Sequence, residues 1–185
     1  MKFYRYKPEV SGLGYGENTV YVGEKTDHPC VVSHLHYEFN YWPEDDMQAT
    51  IFHYIGTERL RRALEDMQPP VTGIDFDDVE ISGDDQEFDR VWREGRPDSA
   101  LGKWYWFKIT GKAGKDDFGL IPTAKLVISD RVVTVLLEKM TVINPARKIQ
   151  PWHAEIEPAE VPQKGPPAEG ESGDAHRLGI SGNGG

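Results

Sequence analysis

Two stretches of the chain are built to one plan. Ile55-Gly56-Thr57-Glu58-Arg59-Leu60-Arg61-Arg62-Ala63-Leu64 and Val127-Ile128-Ser129-Asp130-Arg131-Val132-Val133-Thr134-Val135-Leu136 each pass from an apolar strand end through a hydroxyl side chain, an acid and an arginine into apolar positions at matching offsets. A Thr or Ser at that point accepts the unpaired N–H groups of a helix's first turn, and the acid stands where the positive end of the helix favours it. Leu60, Ala63, Leu64 and Met67 share one face of the first helix, which Pro69-Pro70 stops. Residues 132, 135, 136 and 140 do the same for the second. Strand-like residues follow each: Ile74, Phe76, Val79 and Ile81 in the first case, Val142 and Ile143 in the second. The pattern reads as a duplicated strand–helix–strand unit, with ordinary capping chemistry arising twice as the alternative.

The remaining elements fit around that pair. Lys103 to Trp152 reads as strand, loop, strand, helix and a short strand at 141–143, opening on the aromatic run Trp104-Tyr105-Trp106-Phe107. One of its two tryptophans is expected at an exposed or interface position. Phe3-Tyr4-Arg5-Tyr6 and Thr19-Val20-Tyr21-Val22 are strand-like, and the glycines of Ser11–Gly16 between them read as a flexible loop. That run lacks the strand before and helix after that a dinucleotide site requires. Val31 to Trp42 has a two-residue period, Leu35, Tyr37, Phe39 and Tyr41 facing one way and His34, His36, Glu38 and Asn40 the other. Pro43 and the turn-forming Glu44-Asp45-Asp46 end it, and Ile51 to Ile55 reads as another strand. Val91 and Trp92 pin a short helix within the polar segment 82–102. Beyond Trp152, residues rich in Pro, Gly and Glu lack aromatics and cannot bury enough surface to offset the entropy of ordering. The expected organisation is one α+β domain over 1–153, with a mixed or mostly antiparallel sheet and two main helices, followed by a disordered tail over 154–185.

Charge is unevenly placed. The net charge is −10, and residues 44–102 alone carry sixteen acids against six bases, densest from Asp75 to Asp89. Residues 103–153 carry nine bases against four acids. An acidic block repels nucleic acid and attracts basic partners. No apolar run approaches the ~20 residues of a membrane span. The residues after Met1 also lack the basic-then-apolar form of a secretory signal, and the single cysteine, Cys30, cannot form an internal disulfide. A cytoplasmic protein is expected, with no cofactor and neither nucleic acid nor membrane as partner.

Signatures of catalysis are sparse. His34, His36 and Glu38 on one strand face have the spacing of metal ligands, with His53, Asp45 or Asp46 available to complete a set, and this makes a metal-dependent hydrolase the enzymatic alternative. The other side of that choice is the solvent face of a half-buried strand. Asp116-Asp117-Phe118-Gly119 has the letters of a kinase motif without the other kinase parts. Of the nucleophiles, Ser129 is a helix cap, Cys30 reads as a small half-buried hydrophobe, and Ser33 stands beside no identifiable base.

The run Gly111 to Gly119, then Leu126-Val127-Ile128-Ser129-Asp130-Arg131 and the Leu136-Leu137 helix, resembles the carboxy-terminal part of small bacterial immunity proteins encoded beside polymorphic toxins. The likeness is to the group numbered eleven and to related domains, and it covers about residues 71–143. The acidic insert at 83–98 and the Pro/Gly tail depart from that family. The resemblance implies no catalytic residue. It implies a binding protein that occludes the active site of a cognate toxin. The acidic block itself, with an aromatic anchor beside it, makes Asp77, Asp78, Asp84, Asp85, Glu87 and Trp92 the expected contacts to a basic surface. An adaptor or structural component of a secretion or phage particle is a further alternative.

Overall fold

The computed structural model describes residues 1–12, 14–24, 30–83, 87–96, 98–122 and 124–153, and the side chains of all of these except residues 87 and 93. The expected tail at 154–185, together with Asp84 and Asp85, lies outside the described residues. In chain order the strands are β1 (Phe3–Tyr6), β2 (Val20–Val22), β3 (Val31–His34), β4 (His36–Phe39), β5 (Met47–Ala49) and β6 (Tyr54–Thr57), then β7 (Ile74–Asp78), β8 (Glu80–Gly83), β9 (Trp104–Ile109), β10 (Phe118–Leu120), β11 (Leu126–Ser129) and β12 (Ile149–Trp152). Helix α1 (Glu58–Glu65) follows β6, α2 (Glu87–Gly95) follows β8, and α3 (Asp130–Lys139) and the single turn α4 (Pro145–Lys148) lie between β11 and β12.

The fold is α+β, and the duplication is visible in its topology. One sheet has the order β5-β6-β9-β7 and another β10-β11-β1-β12, every neighbouring pair antiparallel. In each, a hairpin leads into a strand, a helix follows, and the chain returns parallel to that strand but one place removed. The gap is filled by an antiparallel strand from elsewhere: β9, later in the chain, for the first unit, and β1, the N-terminal strand, for the second. Thr57 and Ser129 cap α1 and α3 as their positions predict, each accepting the N–H three residues on. Leu60 and Leu64 of α1 and Val132, Val135 and Leu136 of α3 meet in one core with Tyr54, Phe107, Leu126 and Ile128.

The two units are locked together by two buried aspartates that exchange partners. Asp46 accepts from the Thr57 hydroxyl at 2.5 Å and from Arg59, two residues into α1, while its other oxygen accepts the N–H of Thr141, beyond α3, at 2.7 Å. Asp117 accepts from the Ser129 hydroxyl at 2.6 Å, while its other oxygen accepts from Arg131, two residues into α3, and from the N–H of Thr72, beyond α1, at 3.1 Å. Each aspartate thus fixes the cap of its own helix and the chain leaving the other. Asp45, beside Asp46, accepts the N–H of Ile143 at 2.7 Å and pairs with Lys148.

Several expectations change for this reason. Asp45 and Asp46 are buried ligands of backbone and side-chain donors instead of exposed turn formers. Residues 141–143 form no strand, because the N–H groups of Thr141 and Ile143 go to these carboxylates. The strand that completes the second unit is β12, further on. Residues 51–53 are also not strand: the Thr50 hydroxyl accepts the N–H groups of Phe52 and His53 and makes a turn, so the strand begins only at Tyr54.

A second core fills the opposite face of the β5-β6-β9-β7 sheet. Ile55, Trp104 and Trp106 pack there with Leu35, Tyr37, Phe39 and Phe88. β6 and β9 are therefore covered on both sides, which is what a continuous aromatic run favours. Trp104 and Trp106 are both buried, contrary to the expectation of one exposed. Helix α2 is a third helix of full size, and the residue that pins it is Phe88, at 2% exposure, with Val91 and Trp92 only half-buried. Both ends of the 11–16 loop are packed and not free: Ser11 is buried, and a Cβ on Gly16 would come within 2.3 Å of the His36 ring.

Removing either aspartate leaves a capping hydroxyl and a backbone N–H without their acceptor. Hydrogen bonds to charged groups are each worth about 1.5–3 kcal/mol. Asp46→Ala and Asp117→Ala are each expected to lower the unfolding free energy by about 2–4 kcal/mol in urea titrations, whereas Asp75→Ala, on the exposed surface, stays within about 0.5 kcal/mol.

Candidate functional site

The acidic block meets the described surface on β7. This strand is the last of its sheet, so one of its backbone edges has no neighbour in that sheet. Its alternation puts Ile74 and Phe76 toward the first core and Asp75 and Asp77 on the other side, while Asp78, at the end of the strand, is also exposed. In register beside it, β9 presents Lys108 opposite Asp75. The Lys108 ammonium pairs with Asp77 and holds its carboxyl below the usual carboxylate range. It also lies 4.3 Å from the centre of the Trp106 ring. Lys103 sits 4.6 Å from the centre of the Tyr105 ring, which raises its pKa, with Asp78 a lesser contributor. The block is partly neutralised by the lysines that follow it in sequence, and Asp75 has no ion-pair partner among the described residues. An open edge carrying carboxylates disfavours pairing with a second acidic copy and favours an extended basic segment.

The other expected contact residues divide. Asp84, Asp85 and the Glu87 side chain lie outside the described residues. Trp92 is turned into the fold: its indole N–H donates to the Ser99 carbonyl at 2.5 Å, and its ring lies against Phe88 and Trp42. Its aromatic surface serves the second core.

His34, His36 and Glu38 do not form a ligand set. The strand breaks at Leu35, so β3 pairs antiparallel with β2 while β4 pairs parallel with β8. His34 lies beside Glu80 at 3.0 Å, and that hydrogen bond, with one from Asn18, holds the Glu80 carboxyl low. His36 is buried under Gly16 instead of facing solvent, and Tyr41, expected on the core face, is 62% exposed. The backbone N–H of Asn18 points at Nδ1 of His36 at 3.2 Å, and Ser82 Oγ lies 2.8 Å from Nε2. With a donor facing Nδ1, the ring proton belongs on Nε2, where it donates to Ser82. A histidine in that tautomer cannot take the serine proton, so the Ser82–His36 contact is structural and not a nucleophile–base pair. No three His, Cys, Asp or Glu side chains among the described residues stand close enough together to hold a metal ion.

A half-buried polar group whose members lie far apart in the chain joins Tyr15, Cys30, Thr50 and His53. The Tyr15 hydroxyl lies 2.7 Å from Nδ1 of His53 and 3.3 Å from the Cys30 sulfur, and it accepts from Thr50 at 3.2 Å. Burial pushes the His53 pKa down to about 4 and the Tyr15 pKa up. A neutral imidazole accepting from the phenol satisfies both groups. No helix among the described residues is long and apolar enough to cross a membrane. Comparison of the chain with protein-family models, with curated proteins and with solved structures returned no match.

The neutral His53 has a consequence for acid stability. The unfolded chain takes up a proton near 6.5 and the folded chain only near about 4. The contribution of His53 to stability is therefore complete above the unfolded value and is lost as pH falls from about 6.5 toward about 4. His53→Asn, which keeps an acceptor for Tyr15, is expected to flatten the decline in urea midpoint across that window relative to the wild type.

Proposed function

We propose that this protein works by binding another protein, as a cytoplasmic immunity-type inhibitor that occludes a bacterial toxin through an acidic face. The observation that carries this reading is the open, carboxylate-bearing edge of β7, with Asp75, Asp77 and Asp78 exposed on it. Such an edge offers main-chain donors and acceptors to an extended strand of a partner, and its charge selects basic segments. The partial pairing of Asp77 with Lys108 is compatible with this role, because a surface ion pair is worth little and is readily exchanged for a partner's lysine or arginine. The resemblance of residues 71–143 to immunity proteins supports the same reading. Asp84, Asp85 and Glu87 extend the acidic face in sequence, and the contact set proposed from the described surface is Asp75, Asp77 and Asp78.

The test is protection. A toxic open reading frame adjacent to the gene would be co-expressed with the wild type and with an Asp75→Asn/Asp77→Asn/Asp78→Asn variant. The wild type is expected to restore growth, and the variant to lose protection and bind the toxin at least tenfold more weakly at low salt, with the difference shrinking as salt rises. Full protection by the triple variant would remove the acidic edge from the mechanism.

A further inference from the structure

The surface also holds a groove of the opposite charge. It has a volume of about 420 Å³, and no Asp or Glu is among the residues that line it. Arg5 and Lys7 reach it from β1 and its end, Lys125 from the residue before β11, and Arg147 and Lys148 from α4. Lys148 is paired with the buried Asp45. The side chains of Arg5, Lys7, Lys125 and Arg147 have no ion pair or hydrogen bond among the described residues. The walls between the cations are apolar, from Pro8, Ala49, Tyr54 and Leu126.

The frame of the groove is fixed. The Lys7 N–H donates to the Lys148 carbonyl at 2.9 Å and holds α4 against the end of β1. The Tyr54 hydroxyl donates to the Ala124 carbonyl at 3.0 Å. Ala124 has a φ of 55°, a left-handed conformation that costs a residue with a Cβ of order 1 kcal/mol and persists only where its surroundings enforce it. Four uncompensated cations brought together from three segments repel one another, and an anion between them relieves that repulsion.

We propose that this groove is a binding site for a small organic phosphate monoester, with the phosphate held by Arg5, Lys7, Lys125 and Arg147 and the organic part against Tyr54 and Leu126. Arginine forks and lysine point charges are the side chains that hold phosphate oxygens. The volume is that of a small-molecule site. A nucleic acid is disfavoured because the remainder of the chain would repel a long polyanion. This site is separate from the acidic edge of β7 and does not depend on the function proposed for it.

Isothermal titration of the full chain with phenyl phosphate, inorganic phosphate and benzyl alcohol tests this. Phenyl phosphate is expected to bind more tightly than either fragment, and at least tenfold more weakly to a Lys125→Gln/Arg147→Gln variant. Both residues are exposed and make no ion pair, and their removal relieves repulsion among the cations, so the variant should unfold at a urea concentration no lower than that of the wild type. Equal affinity of the two proteins for phenyl phosphate, no heat from the wild type at millimolar ligand, or benzyl alcohol binding as tightly as phenyl phosphate would each overturn the assignment.

Discussion

The exchange of partners between Asp46 and Asp117 is the constraint on which the fold depends. Each carboxylate organises its own helix start through a hydroxyl and an arginine, and each also takes a backbone N–H from the chain leaving the other helix. A carboxylate buried without such donors would be costly, by several kcal/mol. Here the donors are supplied by both units at once. Neither unit can satisfy its aspartate alone, so the two halves are energetically one body even though each has its own sheet. The borrowed strand β1 has the same effect, since the second sheet is incomplete until the N-terminus has been placed between β11 and β12.

The first sheet carries a further burden because it is covered on both faces. Helix α1 packs on one side, in a core it shares with α3, and the layer that includes β4 and α2 lies on the other. Its inner strands β6 and β9 therefore have no solvent face, and the charged residues of this region are displaced to the edge strand β7. The acidic edge is thus partly a product of the architecture: a sheet buried twice leaves its last strand as the place where carboxylates can remain hydrated. The same edge is where a partner's strand could add, and the carboxylates limit which strands do so.

Opposite charges are held apart on this surface. Carboxylates collect on β7, while uncompensated lysines and arginines collect around the end of β1 and α4. The basic excess of residues 103–153 divides between two destinations. Lys103 and Lys108 moderate the acidic edge, while Lys125, Arg147 and Lys148 line the groove. A sum of charges by segment shows the excess but not this division, because β9 and β11 are close in the chain and belong to different sheets.

What the sequence determined by itself was local. Thr57 and Ser129 as caps, Leu60, Leu64, Val132, Val135 and Leu136 as core, β9 as a strand and the repetition of one unit all follow from neighbours a few residues apart. Tertiary structure decided the points whose partners lie far along the chain. Asp45 and Asp46 look like turn residues until the 141–148 segment is seen to supply their donors. His36 looks solvent-facing until the glycine loop closes over it, and Trp92 looks like an anchor until Ser99 and Phe88 receive it. The physical reason is the same in each case: periodicity and capping report backbone conformation, whereas the burial of a polar side chain is set by whichever remote donor or acceptor reaches it, and that is fixed only when the sheets assemble.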